Sequence, residues 1–91
     1  MDKREKLGSM EKMIRELDDI VNSQTSLLKK ITQLEAENIN LGINLLEKKL
    51  PEIHSKADET LTAASQLVEE FTVVKDKFIK DNKLDELPPE V

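Results

Sequence analysis

His54 and Asp58 stand one helical turn apart, a spacing at which an imidazole and a carboxylate can meet and share a proton. Such a pair does acid–base chemistry only beside a nucleophile in a cleft. The 91 residues include no Cys and no second His, so neither a thiolate nucleophile nor a multi-ligand zinc site can be assembled. His54 therefore reads as a solvated surface histidine. The acid pairs Asp18-Asp19, Glu35 with Glu37, and Glu69-Glu70 supply the oxygens that calcium binding or carboxylate catalysis requires. No loop of alternating oxygen ligands around a central Gly surrounds them, and they read as a solvated helix face. The sequence thus predicts no catalytic residue, no metal and no cofactor, and a protein that is not an enzyme.

The charge balance narrows the choice of partner. Fourteen Lys and Arg against 19 Asp and Glu give a formal charge of −5, a field that repels phosphate polyanions and anionic lipid. Nucleic-acid binding is not expected, and the mixed start from Met1 to Lys6 is not a polybasic membrane anchor. No apolar run approaches the length of a membrane span, so no membrane insertion is expected. Neither is a signal peptide, and the expected location is intracellular, in the cytoplasm.

The elements that must position any site are helical. Apolar residues make up 37% of the chain but include only two Phe and no Trp or Tyr, and two Gly with three Pro leave little turn punctuation for a sheet. From Leu7, apolar residues recur at three- and four-residue steps through Met10, Ile14, Leu17 and Val21, pass the polar Gln24, and resume at Leu28 and Ile31. That is a heptad seam, widened by Ile20 and Leu27. The polar run Asn22 to Ser26 is a candidate kink or break, because its side chains compete for backbone hydrogen bonds. A second seam runs Ile39, Ile43, Leu46, Leu50, Ile53, Ala57, Thr60, Ala64, Leu67, Phe71, Val74 and Phe78.

The two seams differ in phase by one residue. Extending the first beyond Ile31 reaches Glu35, Asn38 and Gly42 rather than apolar positions, so either one long rod absorbs a skip or the chain turns. Three Asn and a Gly between Asn38 and Asn44 favour the turn, with Gly42 beyond a helix end and Asn44 and Glu47 in the form of a capping box. The expected architecture is all-α. Residues 1–82 form a helical hairpin or coiled coil, with helices over 8–38 and 45–80, a turn near 40–44 and a kink at Pro51. Residues 83–91 form a flexible acidic tail containing Pro88 and Pro89.

Two amphipathic helices packed as a lone pair leave the wider part of each stripe wet, with Leu27, Leu45, Leu61 and Val68 exposed beside the seam. Completion by association is therefore expected. The small residues Ala57, Thr60, Ala63, Ala64 and Ser65 allow close approach between larger anchors. The candidate protein interface comprises Ile43, Leu46, Leu50, Ile53, Ala57, Ala64, Leu67, Phe71, Val74 and Phe78. Its partner is expected to be protein, either a second copy or another helical chain, and the role that of a scaffold, adaptor or regulator within an oligomer.

In length and mid-chain break the chain resembles the WXG-type secreted helical hairpins, whose turn would fall at Asn40-Leu41-Gly42. Asn40 stands where that family carries Trp, and the family's tyrosine-bearing export signal has no counterpart after Phe78. The resemblance implies an alternative role as a secreted helical effector or an export-chaperone-like protein. Size and heptads are also similar to those of the short coiled-coil subunits of eukaryotic assemblies such as kinetochore-ring or lysosome-biogenesis complexes.

Overall fold

A computed structural model describes residues 1–84, which form two antiparallel helices, α1 over Lys3–Leu41 and α2 over Asn44–Asp81, about 65 Å long and 22 by 19 Å across. The hairpin expected from the phase change is the fold, and the uninterrupted rod is not. Most of the 83–91 tail lies outside the described residues.

Asp2 starts α1. Its extended backbone sets the carboxylate to accept the Glu5 amide at 2.8 Å, which satisfies one of the donors every helix start leaves unpaired. The helix then runs through Asn22 to Ser26 without a break. Thr25 turns its hydroxyl onto the Val21 carbonyl at 2.9 Å, so its hydrogen-bonding capacity is spent along the helix rather than against it.

The turn is only two residues, Gly42 and Ile43. Gly42 adopts φ 69° and ψ 33°, the left-handed conformation that ends a helix, and its amide donates to the Asn38 carbonyl at 2.7 Å. Asn38 also clamps the turn through its side chain. The carboxamide oxygen accepts the Ile43 amide at 3.0 Å and the carboxamide nitrogen donates to the Ile43 carbonyl at 3.1 Å, while Asn38 itself is 7% exposed. The capping box expected at Asn44 does not form. Ile43 is the cap residue and Asn44 the first residue of the helix, which moves Glu47 one place beyond the box position, and the Ile43 amide donates to the Asn38 carboxamide oxygen instead.

Burial shows which seam each helix uses. In α1 the shielded residues include Leu7, Met10, Ile14, Leu17, Val21, Gln24, Leu28, Ile31, Glu35 and Asn38, so the first heptad continues in phase through its polar members to the turn. In α2 they include Leu46, Leu50, His54, Ala57, Leu61, Ala64, Val68, Phe71, Lys75 and Phe78. Leu61 and Val68, expected to be wet, are half-buried in this seam, and His54 is half-buried rather than a surface residue. The dry core is small: Ile31, Leu50 and Ala57, all in the half nearer the turn. Ala57, 3% exposed, lets the two backbones approach where Ile31 and Leu50 supply the bulk. At the other end the Lys6 ammonium lies 5.3 Å from the centre of the Phe78 ring, tying the start of α1 to the end of α2.

Pro51 lies inside α2, seven residues beyond its start. It deprives the Glu47 carbonyl of its usual intrahelical donor, and both residues line an open cleft at the turn end.

Candidate functional site

The ten candidate interface residues separate into two groups. Leu50 and Ala57 are buried, and Leu46, Ala64, Phe71 and Phe78 half-buried, within the hairpin's own seam. Ile43, Ile53, Leu67 and Val74 are exposed, at 42 to 52%. The split has a geometric cause. Leu50, Ala57, Ala64, Phe71 and Phe78 recur every seven residues, and the partner position alternating with them faces α1 one residue later than the apolar pattern suggests, at His54, Leu61, Val68 and Lys75. The helix is rotated about its axis accordingly. Ile53, Thr60, Leu67 and Val74 turn away from α1 and form a line along the outside.

Helix α1 carries a matching line. Met13, Ile20, Leu27 and Leu34 are each spaced seven apart and are 40 to 53% exposed. Each immediately precedes a seam residue (Ile14, Val21, Leu28, Glu35), as Ile53, Thr60, Leu67 and Val74 precede theirs. Because the helices are antiparallel, the same offset from the seam falls on the same side of the hairpin in both. The two lines therefore border one face. On the opposite side the corresponding positions are polar along the middle of the hairpin, Asp18, Thr25 and Thr32 of α1 and Asp58, Ser65 and Thr72 of α2, with Ile39, Pro51 and Ile79 only toward its ends. The hairpin has one apolar broad face and one polar one.

Charged and small residues rim the apolar face. Outside the α1 line are Glu16, Ser23 and Lys30; outside the α2 line are Lys56, Ala63 and Glu70, all exposed. Of the α1 line, the sequence pattern marks Ile20 and Leu27 as widening the stripe; Met13 before Ile14 carries the same doublet signal and was missed, while Leu34 stands between the polar Gln33 and Glu35.

The cleft at the turn is the other concave feature. It holds about 660 Å³ between Thr32, Glu35, Ala36, Asn38 and Ile39 of α1 and Leu46, Glu47, Leu50 and Pro51 of α2. Thr32, Ile39 and Pro51 place it on the polar side of the seam. Its walls are mostly apolar, and its two ionisable groups are both carboxylates.

Titration chemistry is sparse. The Glu5 backbone amide holds the Asp2 carboxyl below its ordinary value by hydrogen bonding to the charged form. Among the described residues no group of three His, Cys, Asp or Glu is placed to hold a metal ion, and no helix is long and apolar enough to cross a membrane.

No curated protein and no solved structure matches the chain. A family does: residues 1–81, both helices in full, match its sequence model, and the chain belongs to the family described as Nucleotide-Binding Domain 94 of RH.

Proposed function

We propose that the hairpin is a non-enzymatic protein-interaction module whose apolar broad face docks onto another helical surface. The observation that supports this reading is the pairing of two largely apolar lines, Met13 to Leu34 and Ile53 to Val74, along one broad side of the hairpin. A monomeric soluble protein rarely leaves so long a contiguous apolar strip wet. Burial of that strip would also extend a core that holds only three buried apolar side chains. The test is binding of a polarity-sensitive dye at dilutions where light scattering finds the monomer. Fluorescence should rise with the native chain, fall with Ile20→Lys or Leu67→Lys on the apolar face, and persist with Thr25→Lys or Asp58→Lys on the polar one. Equal responses from all four variants, or no dye binding by the native chain, would remove the docking face.

A second reading is carried by the family match and the turn cleft. The family takes its description from a nucleotide-binding domain, and the cleft offers apolar walls in Ile39, Leu46 and Leu50 against which a base ring would stack, with Thr32 and Glu35 beside them. Two carboxylates and no cation line it, so a triphosphate there would need a divalent cation to offset the repulsion, which Glu35 and Glu47 would help to hold. Calorimetric titration with ATP, with and without magnesium, tests this directly. A saturable, magnesium-dependent heat that disappears in Ile39→Asp supports the cleft as the site; ATP heat unchanged by that substitution excludes it.

A further inference from the structure

The rim charges of the apolar face discriminate between occupants. We infer that the occupant is a second copy of the chain, laid face to face with its turn at the opposite end to form an antiparallel four-helix bundle; this rests on the docking face proposed above. Two symmetric ways exist to press two such hairpins together. With both turns at the same end, α1 meets the partner copy's α2. With turns at opposite ends, α1 meets α1 and α2 meets α2, each antiparallel.

Contacts within the hairpin fix the levels. The two-residue turn sets the end of α1, Leu41, level with the start of α2, Asn44, so Ser23 of α1 is about level with Thr62 of α2, and the Lys6–Phe78 contact at the far end agrees to within a residue. In the same-end arrangement Glu16 then meets Glu70 and Lys30 meets Lys56, two like-charge encounters against one favourable one, Glu37 with Lys49, each made twice by symmetry. In the opposite-end arrangement the two copies are free to slide, and one register, with the two-fold axis beside Ser23 and the Thr62–Ala63 level, makes both rims self-complementary. Glu16 meets Lys30 across α1–α1, and Lys56 meets Glu70 across α2–α2.

The same axis brings Met13 against Leu34, Ile20 against Leu27, Ile53 against Val74 and Thr60 against Leu67, so every residue of both lines is covered. Small side chains, Ser23 and Ala63, lie where the rims approach their own copies. One unfavourable encounter remains, Lys49 with Lys77. Each of these already has a carboxylate of its own, Glu52 at 3.9 Å and Asp81 at 3.3 Å. The face from Met13 to Leu34 is about 32 Å long and two helices, about 20 Å, wide, on the order of 600 Å² in projection. That is the scale of a standard interface, which buries about 800 Å² of accessible surface per partner.

The chain contains no Cys, which makes the test clean. Light scattering on the native chain should give twice its 10.4 kDa mass at micromolar concentration. Single variants Ser23→Cys and Ala63→Cys should oxidise to covalent dimers, while Thr25→Cys on the polar face should not. Glu16→Lys should weaken the dimer by roughly fivefold, as expected for two rim charge pairs turned repulsive, and adding Lys30→Glu should restore it. A Glu16→Lys chain that dimerises more tightly would overturn the opposite-end arrangement, because that substitution relieves the Glu16–Glu70 encounter of the same-end one. A monomeric chain whose face still binds dye in a Leu67-dependent way would overturn the second copy alone. A monomer that binds no dye would overturn both this inference and the docking face beneath it.

Discussion

Asn38 concentrates the information of the turn in one side chain. Among the described residues its carboxamide is the one polar side chain that is buried, and both its nitrogen and its oxygen are used on Ile43. An apolar replacement would fit the heptad better and the fold worse. Asn38→Leu leaves the Ile43 amide without its partner, and such an orphaned group costs about 1 to 3 kcal/mol, which urea unfolding should register as a lower midpoint with an unchanged slope. Gly42 can be tested in the same assay. Nothing lies within 4 Å of where its Cβ would be, so Gly42→Ala measures the left-handed backbone alone, about 1 to 2 kcal/mol. Asp2 links its cap to pH. The Glu5 amide depresses its folded-state value, so its stabilising effect is full above the unfolded-state value and is lost as pH falls through the lower, folded one. The Glu5 amide resonance should follow that titration at a midpoint below the ordinary aspartate range, whereas Asp2→Asn keeps a cap and abolishes the titration.

At the level of the helices, stability resides where Ala57 permits contact. Enlarging it with Ala57→Leu inserts three carbons into the tightest part of the seam and should cost about 1 to 3 kcal/mol despite adding apolar surface. Pro51 is the converse case: it is exposed, with no buried packing to lose, so Pro51→Ala restores a helical hydrogen bond to Glu47 and should raise the melting temperature. The helices, the turn and the heptad of α1 were readable because they rest on local rules. Spacing at threes and fours sets a stripe, and Gly after Asn-rich sequence ends it. The rotation of α2 was not readable. Ile53, Leu67 and Val74 are more apolar than His54 and Lys75, so the sequence puts them in the seam; the structure takes the alternate position at Leu61 and Val68 instead. Two stripes of similar quality compete on one helix, and only the position of α1 decides between them. Asn38 was misread for a related reason, as a sign of the turn alone rather than as its buried clamp. Family membership was invisible because the chain carries no glycine-rich phosphate loop or other short motif, and the match is spread over both helices.

For the molecule as a whole, the rotation separates two surfaces that the sequence merges into one. Leu67, 48% exposed, belongs to the broad face, while Phe71, half-buried one turn later, belongs to the hairpin's own seam. A charge at either position should therefore act on a different equilibrium. If the face is closed by a second copy, folding is coupled to association, and the melting temperature should rise with concentration by about 3 to 6 °C per decade for a chain of this size. Leu67→Asp should abolish that concentration dependence while circular dichroism at low temperature retains deep helical minima, because the seam beneath is untouched. Phe71→Asp should reduce helicity at every concentration, since the ring's packing in the seam is lost and a carboxylate there must be partly desolvated, a cost that Lys75 one turn on offsets by only a few tenths of a kcal/mol. Identical melting curves from the two variants would mean that Leu67 and Phe71 share one environment, and the division between an inner seam and an outer docking face would fail with it.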